Sequence, residues 1–221
     1  MTILKKIISY LYPLKEFEAP SITNKSIEVN WNNGKLVLDS KNTNFSFGSL
    51  ERVMRFGLKK ISASKISEMK SALVLGVAGG SVISLLQNEF SFQGNTTGIE
   101  IDEKMISIAN QFFHLQKLPK VNIIHKDAQD YLLSCKTQYD LIIVDIFEDN
   151  LMPEFLFTQT FIQQLKTILT QNGFILFNTI VSLNPEKIRN QNFENILTKN
   201  FNLVQKYSNI EGNNEVFIIC H

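Results

Sequence analysis

The chain has 221 residues, 44% of them hydrophobic and 19% charged, which suits one domain with a sizeable core and excludes a disordered acidic or basic tract. Its 22 Lys and Arg against 21 Asp and Glu leave a net charge of +1 with no basic stripe, which argues against nucleic acid as a main partner. The only two cysteines, Cys135 and Cys220, lack metal-ligand or redox spacing, so a reduced, cytoplasmic setting is expected.

The opening MTILKKIISYLYPLKEF is amphipathic, with Lys5 and Lys6 breaking its apolar residues. It is too short and too charged to span a membrane and has no small-residue cleavage site, so it reads as a short docking helix ending near Pro13. SIEVNW and KLVLDS alternate apolar and polar residues around Asn32-Asn33-Gly34, which predicts a β-hairpin because Asn and Gly tolerate positive φ. A connecting helix follows, with Leu50, Val53, Met54, Leu58 and Ile61 at helical spacing. Residues 1–60 are thus expected as an N-terminal unit ahead of a main domain over 61–221.

From residue 71 the pattern repeats strand, turn, helix. Strands are expected at 72–76, 96–100, 121–125, 140–145 and 174–179, with helices near 81–90, 103–114, 127–134 and 155–170. Nearly continuous apolar strands between helices mean an α/β fold with a mostly parallel sheet covered on both faces. The ending NFNLVQKYSNIEGNNEVFIICH places two strands about a Gly-Asn-Asn turn with no helix between, an antiparallel hairpin closing the sheet.

In such sheets ligands bind beyond the carboxyl ends of the strands, where the strand order reverses. The first turn here is Gly76-Val77-Ala78-Gly79-Gly80-Ser81, which is either a cofactor cradle or a tight strand-to-helix corner. Glu100 lies 24 residues beyond Gly76 at the end of the second strand, where an acid can accept both ribose hydroxyls of a nucleoside. Asp127-Ala128 opens the next helix; Asp127 can bond an adenine amino group, cap that helix, or do both. A dinucleotide fingerprint would need glycines at 76, 78 and 81, but the chain has Gly76, Ala78 and Ser81, so an adenosine-type cofactor without a pyrophosphate fits better.

Asp145 ends the fourth strand at the mouth of the expected crevice. It is either a general base, a ligand for a bound cofactor, or a helix cap. Glu148 and Asp149 could bind a cationic substrate or be ordinary loop acids, and Phe147 and Phe155 could wall the pocket. Asn178 either faces the pocket or caps its strand. His114, His125 and His221 are scattered, with no partner at metal-ligand spacing, so no metal is expected.

LVLGVAGGSVISLL, GIEIDEKMISIANQFF, KDAQDYL and YDLIIVDIFEDNLMPEFLFTQTF resemble the spermidine synthase branch of the class I S-adenosylmethionine-dependent methyltransferases, over about residues 26–221. The resemblance implies a Rossmann-like fold and S-adenosylmethionine, or its decarboxylated form, as cofactor. It would set Gly76, Ala78, Gly79, Gly80, Glu100, Ile101, Asp127, Ala128 and Asp145 around that cofactor. In aminopropyltransferases the acid at the position of Asp145 deprotonates the attacking amine, and the N-terminal hairpin often mediates a homodimer. The family's glycine loop, however, carries an acid where this chain has Gly79. Its S-x-D-P after the strand-end acid is replaced by Ile146-Phe147-Glu148-Asp149, with the proline delayed to Pro153, and its N-terminal polyamine donors by Phe45 and Phe47.

Three functions stay open on these residues. The first is methyl transfer to a small or amine-bearing acceptor, which the altered loop favours; the second is aminopropyl transfer. The third is a nucleoside-binding module without catalysis.

Overall fold

The computed structural model describes residues 2–21, 26–40, 44–148 and 151–221. The first helix, α1 (Thr2–Ile8), is shorter than the amphipathic segment suggested. Four antiparallel strands follow in sequential order: β1 (Leu14–Ala19), β2 (Ile27–Asn32), β3 (Lys35–Ser40) and β4 (Asn44–Ser46). The β2–β3 hairpin turns through Asn33 and Gly34, both at positive φ (48° and 75°), as its sequence required. Strand β1 is not evident from the sequence because a register shift between Lys15 and Phe17 breaks the period-two pattern that would have marked it. The buried face of this small sheet, with Ala19, Ile27, Val29 and Leu38, packs on Met105 and Ile108 of a helix in the main sheet's cover.

Helix α2 (Ser49–Ile61) buries Val53, Met54, Leu58 and Ile61. Gly57 lets it lie close on the main sheet, since a Cβ there would stand 2.3 Å from the Leu176 side chain. After a short α3 (Ala63–Glu68) come β5 (Ser71–Leu75), α4 (Ser81–Asn88), β6 (Asn95–Glu100), α5 (Glu103–Phe113), β7 (Val121–His125), α6 (Ala128–Ser134) and β8 (Tyr139–Val144). The rest of the chain forms α7 (Gln159–Ile168), β9 (Leu169–Ile180), α8 (Asn184–Asn200), β10 (Leu203–Ile210) and β11 (Asn214–Cys220).

The seven strands of the main sheet run β10-β11-β9-β8-β5-β6-β7. β7, β6, β5, β8 and β9 pair in parallel, and β11 is antiparallel to both of its neighbours, which is the closing hairpin expected from the C-terminal pattern. Successive strand residues feed opposite cores. Val74, Leu141, Ile143 and Leu176 join the layer under α2 and α4, while Leu73, Leu75, Ile142 and Phe177 join the layer under α7 and α8. Among the described residues no helix is long and apolar enough to cross a membrane.

Two differences from the sequence-based elements matter. The helix expected over 155–170 is a 3-10 turn at Glu154–Phe157 followed by α7, because Thr158 caps α7 by accepting the Phe161 amide at 3.2 Å. Helix α8 is not apparent in the sequence: its segment is rich in asparagine, a weak helix former. Tertiary contacts hold it instead. Phe193 sits among Phe157, Phe177 and Phe217, with ring centroids 4.8–5.4 Å away, and Asn190 donates to both Thr179 and Glu215.

Candidate functional site

Strand order reverses between β5 and β8, so the ends of these strands frame a crevice. They meet closely. Gly76 has φ 86°, and a Cβ on it would fall 2.2 Å from the Asp145 carbonyl oxygen. Only glycine satisfies both conditions. The crevice between the two strand ends is open to solvent.

Of the residues the sequence placed around a cofactor, Gly76, Ala78, Glu100, Ile101, Asp127, Ala128 and Asp145 line this crevice. Gly79 and Gly80 stand behind its rim. The Gly79 amide donates to Ser46 Oγ at 3.0 Å, and a Cβ on Gly80 would meet Leu115 at 2.6 Å. The turn is therefore a tight corner and a crevice wall at once. Glu148 lines the lip, where it and Leu151 exchange two backbone hydrogen bonds of 2.9 and 3.0 Å. Asp149 lies outside the described residues.

Glu100 is 9% exposed and held by the backbone. Its Oε2 accepts the amides of Val77 (3.1 Å) and Ala78 (2.9 Å), and its Oε1 accepts the amide of Asp102 (3.1 Å). Burial raises its pKa, and the three amides counter that only in part. A carboxylate offers about four lone-pair positions, so three amides leave room for about one further donor, not the two ribose hydroxyls expected. Ile101 beside it is 45% exposed. Asp127 caps α6 through Oδ1, which accepts from the Gln129 amide at 2.8 Å and the Asp130 amide at 3.1 Å.

Asp145 sits on the crevice floor one residue past β8. Burial pushes its carboxyl up to about 7, and the hydrogen bond from Asn178 Nδ2 at 3.0 Å pulls the other way. Phe147 and Phe155 wall the same crevice. Leu50 from the start of α2, Met105 from α5 and Lys126 complete it without any local sequence signal, since only the packing of distant elements brings them there. The histidines do other work: His114 ends α5 at φ 56°, His125 Nε2 lies 2.9 Å from the Ile101 carbonyl, and the His221 ring is 5.9 Å from Phe201.

This strand order, with acids closing β6 and β8 about a glycine turn, defines a class I methyltransferase-type fold. The structure of human methyltransferase-like protein 13, solved in complex with SAH, superposes with a TM-score of 0.67 at 23% identity, over 79% of this chain and 82% of that one. The chain belongs to the spermine/spermidine synthase domain family, which it matches over residues 51–211. It is 27% identical over 160 residues to an eEF1A lysine and N-terminal methyltransferase homolog of Drosophila melanogaster, covering 68% of this chain and 23% of that protein. It is 32% identical over 110 residues to a polyamine aminopropyltransferase of Vibrio vulnificus (strain CMCP6), covering 48% of this chain and 36% of that one. The chain thus spans well under half the length of either curated relative.

Proposed function

We propose that this chain is an S-adenosylmethionine-dependent transferase, most simply a methyltransferase, acting on an amine nitrogen. The observation that carries it is the convergence of Glu100, Asp127 and Asp145, from the ends of three strands, on one crevice. The acceptor set suits an adenosine. Glu100 Oε1 keeps a position for a ribose hydroxyl, and the cap leaves Asp127 Oδ2 for an adenine amino group. Ile99, Ile101 and Met105 give the base an apolar bed.

When bound, the cofactor would supply a carbon activated by a sulfonium. The protein's part is to hold the acceptor and remove its proton. An amine is mostly protonated at neutral pH. Asp145, with its carboxyl near 7, can take a proton from an ammonium nitrogen and leave the lone pair free to attack. Leu50, Phe147 and Phe155 would keep water away from the aligned groups. The printed names of both relatives point to amines: a lysine and an N terminus in one, a polyamine in the other. The acceptor is either a small amine or a protein's amine. The histidines and cysteines have no place in this chemistry.

Aminopropyl transfer is the second reading, supported by the identity to the Vibrio protein. The space beside Gly79, where the resembled family carries an acid, is filled by Ser46 and Phe47, which favours the methyl donor. The non-catalytic alternative finds no support among the relatives. Calorimetric titration with S-adenosylmethionine and its decarboxylated form decides. Preference for the former supports methyl transfer, preference for the latter aminopropyl transfer, and binding of neither would overturn the proposal.

A further inference from the structure

Asn178 lies one residue past the Val144–Phe177 pair of the β8–β9 ladder, level with Asp145. Residues alternate across a sheet, so while Val144 and Phe177 turn into one core, Asp145 and Asn178 turn together to the other side. Asn178 is fully buried, and its Nδ2 donates to Asp145 Oδ1 at 3.0 Å. Its Oδ1, equally buried, accepts no hydrogen bond among the described residues.

An unpaired carbonyl in a protein interior is unfavourable and calls for an explanation. Here the lack of a partner has a mechanical consequence. An amide anchored at both ends cannot turn, whereas this one is held only by the carboxyl whose charge would change. Among side chains an amide can serve both states of a carboxyl: N–H donates to the carboxylate, and C=O accepts from the protonated acid.

We propose that Asn178 is the positioning residue of Asp145, an amide that donates to the ionised carboxylate and, after a half turn about χ2, accepts from the protonated carboxyl. The carboxyl can then gain and lose a proton without leaving the crevice floor. This rests on the reading of Asp145 as the proton acceptor. In that step the ammonium N–H bond breaks and an Asp145 O–H bond forms, giving a neutral amine and a neutral carboxyl; the proton later passes to water. The charged or titratable groups lining the same crevice are Glu100 at the end of β6, Lys126 and Asp127 before α6, and Glu148 after β8. Among the described residues none of them pairs with Asp145, which leaves Asn178 as its one polar side-chain partner.

The test is a carbon-13 NMR titration of the Asp145 side-chain carboxyl in the whole chain, assigned with Asp145→Asn. It is run on the parent, on Asn178→Leu, which keeps the volume, and on Asn178→Ser in case the first does not fold. Hydrogen bonds to charged groups are stronger than those to neutral ones, so losing Asn178 should raise the midpoint by about one pH unit. The acid limb of any pH–rate profile should move by the same amount, and S-adenosylmethionine affinity should stay within about twofold of the parent. A residue that only fills space would lower the melting temperature and leave the midpoint alone, and an unmoved midpoint in the folded variants would overturn the proposal. If the parent fails to bind S-adenosylmethionine, the transferase reading falls, while the titration still decides whether Asn178 governs Asp145.

Discussion

Ser46 Oγ accepts the backbone amide of Gly79 at 3.0 Å, joining the last strand of the small N-terminal sheet to the glycine turn of the main one. The contact is close enough that a Cβ on Gly79 would lie 2.9 Å from Ser46 Cβ and 3.2 Å from the Phe47 ring. Phe47 has little freedom to yield, since it stacks on Phe113 with centroids 4.6 Å apart and holds a φ of 64°. Gly79→Asp, which would restore the acid of the resembled loop, should therefore destabilise the protein by about 1–3 kcal/mol through overpacking. Urea denaturation measures this, and a neutral effect would mean that the N-terminal sheet sits more loosely on the turn than these distances say.

Glu100 ties the turn to β6 as well as facing the crevice. Glu100→Ala should abolish nucleoside binding and also cost stability, about 1–3 kcal/mol, by stranding the amides of Val77, Ala78 and Asp102. Calorimetry and denaturation on the same sample separate the two effects. Parent-like affinity would remove Glu100 from the binding site.

Asp145 makes stability depend on pH in a definite direction. Its carboxyl is raised from the ordinary 3.8 to about 7 in the fold. Between about pH 4 and pH 7 the folded chain keeps this proton while the unfolded chain has released it, so stability falls as pH rises through that window. The slope is about 1.4 kcal/mol per pH unit at most. Glu100, also raised by burial, acts in the same sense above its ordinary range. Asp145→Asn should remove its share of this pH dependence. The variant should gain on the parent from pH 4 to 7, with a level difference above that, while turnover falls by about 10²–10⁴-fold. Parallel stability curves for the two proteins would show that the fold does not raise the Asp145 carboxyl.

Asp102, fully buried, holds α5 and the N-terminal region together. Its Oδ1 accepts the amides of Lys104 (2.8 Å) and Met105 (3.4 Å), and its Oδ2 accepts Ser21 Oγ at 2.5 Å. Asp102→Ala should cost about 1–2 kcal/mol, the upper end of a lost cap, and Asp102→Asn should recover much of it. Because Met105 lines the crevice, cofactor affinity should weaken in step. A melting curve with and without S-adenosylmethionine reads both; an unshifted one would assign the cap no weight.

The alternation of strand and helix, the Asn33-Gly34 hairpin, the glycine turn and the acids closing β6 and β8 were all legible in the sequence. Each depends on local causes: side-chain period, backbone freedom at a turn, and a capping side chain two or three residues from the amides it accepts. Strand β1 was hidden by its bulge. Helix α8 was hidden because its own residues favour it weakly, and it is Phe193 in the phenylalanine cluster that holds it. Tertiary structure alone decided that Ser46 closes on Gly79, that Leu50 reaches the crevice, that amides take most of Glu100, and that Asn178 is the neighbour of Asp145. These depend on strand order and register between segments far apart in the chain. A one-residue shift of β9 would have turned Asn178 into the opposite core, and no local pattern records which register the packed sheet will adopt.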